Sequence, residues 1–251
     1  MSSHFACIGF PVTDVEEYWA LARRAAAEGL RMETPNGGAL VRWAVGNGPE
    51  VWAQIDPAGD LVGAAPFFST NISFKISVTG SGEDPDEHMD GWVDGWLEPS
   101  EEDEPYSGVF PLRINLVDFA LSSRRLTQFP ALHTVELAAL AHEADLYEDE
   151  AAYKAAPGEV FRLPAQSFVS TAHSSVDEPQ PFAEATALAS GIIREAARMT
   201  NPASDATFWR AALATQGVTL PVFVAPGDLS GPVRAGQILS GGFWLLGRLT
   251  S

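Results

Sequence analysis

The sequence predicts an α+β protein: an N-terminal strand–helix–antiparallel-sheet unit, then a C-terminal small, curled β unit. Three observations carry this reading. An apolar period near 3.6 over residues 14–28 changes to a period of two from Val41 onward. A hairpin pattern recurs at residues 208–224. The sequence closes on GQILSGGFWLLGRL, where large apolar residues surround a Gly241-Gly242 pair, as in a terminus tied into a core.

The N-terminal unit occupies residues 1–80. His4–Val12 reads as a short apolar strand. Thr13-Asp14-Val15-Glu16 has capping-box spacing, in which the Thr13 hydroxyl caps an amide three residues on and Glu16 reaches back. Val15, Trp19, Ala22 and Ala26 follow at helical spacing, and Gly29 stands where a C-cap belongs, so a helix is expected over 14–28. Val41, Trp43 and Val45 then alternate with polar or small residues. Asn47-Gly48 offers a hairpin turn into Val51, Ala53 and Ile55. Leu61–Ala64 and the alternating Ile72, Phe74, Ile76 and Val78 complete a mostly antiparallel sheet with the helix on one face.

Residues 81–107 read as an acidic loop. Eleven carboxylates lie between Glu83 and Glu104, with no Lys or Arg among them, a composition that favours solvation over burial. A connecting β-rich segment is expected over 108–180. Phe110, Leu112, Ile114 and Leu116 alternate as a strand. Residues 131–155 mix helix-forming composition with strand alternation, and divide into a strand to about 143 and a short helix over 148–155.

The curled β unit spans 181–251. Phe208–Ala214 and Val218–Val224 flank Thr215-Gln216-Gly217 as a hairpin. Glycine pairs inside a strand permit the bend or bulge that curls a small sheet, which assigns that role to Gly241-Gly242. Residues 186–199 carry a helical stripe at Leu188, Ile192, Ala196 and Met199, interrupted by Gly191 and closed by Asn201-Pro202.

Two resemblances bear on these elements. Ser190-Gly191-Ile192-Ile193, Asn201-Pro202, Phe208-Trp209 and Gly241–Leu249 resemble an uncharacterised family of bacterial proteins. In that family an OB-like barrel ends in a Phe-Trp-Leu-x-Gly-Arg-Leu sequence. The resemblance covers about the last 70 residues, implies an OB-like unit at 181–251, moves 186–199 from helix to strand, and carries no activity. The N-terminal unit also resembles a half-module of the vicinal-oxygen-chelate metalloenzymes, which bind a divalent metal through a first-strand histidine. That resemblance points to His4, with Glu50 as the nearby strand carboxylate.

Charge narrows the functional classes. Thirty-three acidic against 15 basic residues give a net charge of −18, which opposes nucleic-acid phosphate and anionic membrane surfaces. No apolar run is long enough for a membrane span, and the first residues lack a signal-peptide pattern. With Cys7 as its single cysteine, the chain is expected to be cytoplasmic. No Gly-x-Gly-x-x-Gly, Walker or Gly-x-Ser-x-Gly sequence is present, and no cofactor is expected. Cys7 lies in an apolar stretch as an inert packing residue. His133, Glu136, His142 and Glu143 look like a cluster, yet neither helix nor strand geometry brings more than two of them together.

Three functional expectations follow. The favoured one is a soluble, intracellular, non-catalytic binding or accessory protein. Its partner surface is Trp92 and Trp96 with Asp90 and Asp94, facing a protein with a basic surface. The second is a metal-dependent enzyme of vicinal-oxygen-chelate type using His4 and Glu50. The third, a single-strand nucleic-acid-binding barrel, rests on the OB-like architecture alone, and the sparse arginines of the last 70 residues oppose it. Arg248 is expected to pair with a carboxylate and pin the final strand.

Overall fold

In the computed structural model, residues 3–83, 90–101, 103–157, 163–173 and 185–250 are described. The chain has the α+β architecture the sequence predicts. A 3-10 turn over His4–Ile8 stands where a strand is expected. Gly9 ends it with φ 81°, and a Cβ there would meet Asn201 at 2.7 Å, so the chain leaves this apolar segment in a conformation reserved for glycine. Helix α1 (Val15–Glu28) follows. Its cap is shifted by one residue from the expected box: Asp14 accepts from the Glu17 amide at 2.8 Å, and Glu17 accepts from the Thr13 amide at 2.8 Å.

Strands β1 (Leu30–Glu33), β2 (Ala39–Ala44), β3 (Pro49–Ile55) and β4 (Leu61–Phe68) form an antiparallel sheet in chain order. Helix α1 lies against β2, β3 and β4. Every residue of β3 is buried, including Glu50 and Gln54, because this central strand is covered on both faces.

The rest of the chain builds one large mixed sheet. Its strands are β5 (Ser73–Glu83), β6 (Gly91–Leu97), β7 (Phe110–Leu116), β8 (Ala131–Tyr147), β9 (Ser167–Ser170), β10 (Thr186–Thr200), β11 (Thr207–Thr215), β12 (Val218–Val224) and β13 (Ile238–Leu249). Short helices α2 (Phe119–Ser122) and α3 (Glu150–Ala155) lie between them. The pairings close two rings of five strands. One runs β5–β6–β7–β13–β8 and back to β5; the other runs β10–β11–β12–β8–β13 and back to β10. Each ring is antiparallel except at one joint, β7 with β13 in the first and β12 with β8 in the second. In the first ring the last strand enters parallel to the third, an OB-like strand order.

The two rings share the β8–β13 ladder, which runs from Val135↔Leu249 to Tyr147↔Ile238. Seventeen residues of extended β8 reach roughly 55 Å at about 3.3 Å per residue, long enough to serve two small barrels end to end. Trp244 and the residues before it pair with β10, whereas Leu246 and Gly247 pair with β7. The changeover falls at Leu245, and Gly241 and Gly242 lie within the part paired with β10. A bulge falls between Gly242 and Phe243, and the extra residue is His142 on the opposite strand, since Gly242 pairs with Glu143 and Phe243 with Ala141. A Cβ on Gly241 would stand 2.1 Å from the Glu143 carbonyl oxygen, while one on Gly242 would have 3.7 Å of room.

Two expectations are corrected. The acidic stretch is not a loop throughout: residues 91–97 form β6, paired on both sides within the first ring. Strand alternation buries Gly91, Val93, Gly95 and Leu97 and turns Trp92, Asp94 and Trp96 to the partly exposed face. Residues 84–89 and Glu102 lie outside the described residues. The curled unit expected within 181–251 does not close by itself either; its ring requires β8 from residues 131–147. The ambiguous 131–143 and 186–199 are both strand, and the helix expected over 148–155 appears as α3.

Candidate functional site

Two polar clusters organise the interior between the four-stranded sheet and the rings. The first is closed. Glu50 on β3 and Glu136 on β8 are 1% and 2% exposed, and isolated charges at such positions cost several kcal/mol. Each is matched. Glu50 accepts from Arg42 and from the Trp52 indole at 2.9 Å, and Arg248 stands 3.6 Å away. Glu136 accepts from Arg248 at 2.5 Å, from Ser69 at 3.0 Å and from the Asn71 amide at 2.6 Å. Burial pushes the Glu136 carboxyl upward, but these donors and the Arg248 charge together hold it below the ordinary glutamate value. Arg248 therefore pins β13 to β8 and to β3, as the sequence implied.

The second cluster is open. Between β4 and the shared ladder lies a cleft of about 600 Å³, lined by residues of β4, β6, β7, β8, β10 and β13 together with His4. Such a volume falls within the range of small-ligand pockets. Its aromatic wall contains Trp92, Trp244, Phe243 and the two imidazoles of His4 and His142. The His4 ring lies 4.9 Å from the Trp244 ring and 5.5 Å from that of His142. The Trp244 indole donates to Asn115 at 2.8 Å, which fixes its plane. Burial, with His142 beside it, lowers His4 to about 4, so the imidazole is neutral at neutral pH. Its buried Nε2 has no hydrogen-bond partner among the described residues.

Among the described residues Asp90 and Glu143 are the carboxylates of the cleft, and no Lys or Arg lines it. Asp90 accepts from Gln54. Glu143, exposed, makes no ion pair among the described residues. A smaller recess of about 410 Å³ adjoins the cleft through His142 and Glu143 and adds Asp145 and Asp228.

The four residues assigned to one partner surface are thus divided. Asp90 and Trp92 line the cleft. Asp94 is held by Arg113 through two 2.7 Å hydrogen bonds, and the same guanidinium lies 4.9 Å over the Trp92 ring. Trp96 sits edge-on to Tyr106 at 6.3 Å, away from the cleft lining. His4 and Glu50 also belong to different clusters, one to the cleft and one to the closed ion network. Among the described residues no three His, Cys, Asp or Glu side chains converge as a metal site. The Cys7 thiol is buried and donates to the Ala141 carbonyl at 3.2 Å; burial pushes it up to about 12, so it stays protonated.

Sequence reasoning named His4, Asp90 and Trp92 but missed Glu143 and Trp244 as site residues. His142 and Glu143 were singled out for a cluster with His133 and Glu136; the bulge separates them from it and turns them to the cleft. That bulge is a pairing event, visible in sequence only as the Gly241-Gly242 pair opposite. No family model matches the chain, and no curated protein or solved structure matches it either. Among the described residues no helix is long and apolar enough to cross a membrane.

Proposed function

We propose that this chain is a soluble, cytoplasmic, non-catalytic binding or accessory protein whose occupant sits in the cleft between β4 and the β8–β13 ladder. One observation carries the reading: a preformed pocket of about 600 Å³ joins a fixed aromatic wall to polar groups, among them the unpartnered His4 Nε2. A binding role fits better than a catalytic one. The buried thiol of Cys7 is protonated, and the neutral His4 lies against the rings of Trp244 and His142, with no nucleophile between them among the described residues.

A protein with a basic surface is a less natural occupant. Arg113 already neutralises Asp94, and Trp96 rests on Tyr106. The metal-enzyme reading loses support because Glu50 is taken by two guanidinium groups. Single-strand binding loses it because Arg248 is held by Glu50 and Glu136 in the ion network and Arg234 is paired with Glu148.

Ligand-observed NMR with a mixed set of small aromatic acids, amines and alcohols tests the cleft. Binders should compete with one another and should be lost in Leu188→Trp, which fills the cleft mouth from a position already 46% exposed. Unaltered binding by a Leu188→Trp variant of native melting temperature would place the occupant elsewhere.

A further inference from the structure

We infer that the cleft selects a flat organic cation: an aromatic or heteroaromatic ring carrying an ammonium or quaternary nitrogen. This deepens the proposed binding role and rests on it.

The argument begins with the walls. Indole faces attract cations through the ring quadrupole, and they do so most strongly in a partly desolvated pocket. The Trp244 indole nitrogen donates to Asn115, another lining residue, at 2.8 Å, so the ring plane is set before a ligand arrives. Trp92 lies across Gly82, where even a single Cβ would come 2.3 Å from the ring. Both rings are therefore preorganised, which lowers the ordering cost of binding.

Charge supplies the sign. Glu143 projects from the residue beside the bulge, opposite Gly242, where its strand partner has no side chain to neutralise it. Asp90 adds a second carboxylate from just before β6, and among the described residues no Lys or Arg lines the cleft. Arg113, whose guanidinium lies 4.9 Å over the Trp92 ring, is bound to both oxygens of Asp94, so its charge is compensated. His4 is neutral and adds no competing positive charge. Its Nε2 offers the pocket one further polar contact. Among the described lining residues an anionic ligand would meet two carboxylates and no cation. A neutral aromatic would gain the rings but not the charge.

Isothermal titration with three indoles of similar size separates these cases: tryptamine as cation, tryptophol as neutral analogue, indole-3-acetate as anion. Tryptamine should bind at least about tenfold tighter than tryptophol, and indole-3-acetate weakest. Glu143→Gln, at an exposed position, should weaken tryptamine about fivefold and leave tryptophol unchanged. Leu188→Arg should weaken tryptamine about tenfold through like-charge repulsion at the mouth. Equal or tighter binding of tryptophol or indole-3-acetate overturns the cation assignment and leaves the cleft as a binding site. Failure of all three to bind overturns both.

Discussion

The two ends of the β8–β13 ladder use the same device to opposite effect. At one end Glu136 stands opposite Arg248 in register; at the other Glu143 stands opposite Gly242. Where the partner strand supplies a guanidinium, the carboxylate is buried and fully satisfied. Where it supplies a glycine, the carboxylate is left toward a cleft. The pairing partner, rather than the acidic residue, separates a structural charge from an available one. The bulge at His142 marks the boundary between these two uses.

The largest effect should come from breaking the closed end. Arg248→Ala would leave Glu50 and Glu136 buried without their shared cation, a loss of about 3–5 kcal/mol and a drop in melting temperature on the order of 10 °C. Thermal and denaturant unfolding would measure it. Because the two charges act as a unit, Arg248→Met combined with Glu136→Gln should recover part of that loss. Strict additivity would mean that the network is not coupled.

The boundary itself can be probed next. Gly241→Ala drives a Cβ into the Glu143 carbonyl and should destabilise by about 2 kcal/mol. Gly242→Ala has 3.7 Å of room and should stay within about 0.5 kcal/mol of wild type. Equal costs at the two positions would disprove the bulge placement.

Two titrating groups then set opposed pH dependences. Burial and the neighbouring His142 lower His4 to about 4 from 6.5. Between those values the unfolded chain binds more protons than the folded one, so stability is lost as pH falls from 6.5 toward 4. Asp118, beside the final strand and accepting from the Leu249 amide, is raised by burial to about 6 from 3.8. There the folded chain keeps its proton longer, so stability is lost as pH rises from about 4 to about 6. Melting curves across pH 4–6.5 should therefore diverge. His4→Gln should gain on wild type as pH falls, and Asp118→Asn should gain as pH rises.

The smallest effect belongs to the open end. Glu143→Gln should change stability by less than about 0.5 kcal/mol, because an exposed carboxylate without an ion pair contributes little. A larger loss would show that Glu143 is structural, like Glu136, and would erase the contrast between the ends.

Much of this architecture was legible where a solvated face or a turn signal marks an element. Helix α1 announces itself by period because one side is exposed, and the β2–β3 and β11–β12 hairpins by apolar runs around Asn47-Gly48 and Gln216-Gly217, although β3 is buried on both faces. Residues 131–147 did not. Val135–Ala141 is buried on both faces where the two rings meet, so polar residues have no regular place and the helix–strand signal vanishes. The acidic stretch misled for a related reason. Asp94 counts as solvating in sequence, yet in space Arg113 neutralises it, and β6 can join a barrel. Of the candidate site, His4, Asp90 and Trp92 were named from sequence, but their convergence with Trp244 and Glu143 was not.

What the sequence determined by itself is local: the helix and its acidic cap, the hairpins, the glycine pair that permits a bend, and an arginine suited to pinning the last strand. Tertiary structure alone decided that β8 and β13 serve two rings at once, that Glu50 and Glu136 share one guanidinium, and that His4 packs against Trp244 in the wall of a cleft. These outcomes join residues more than eighty positions apart. Periodicity reports which face of an element is buried, but not which distant strand will cover it.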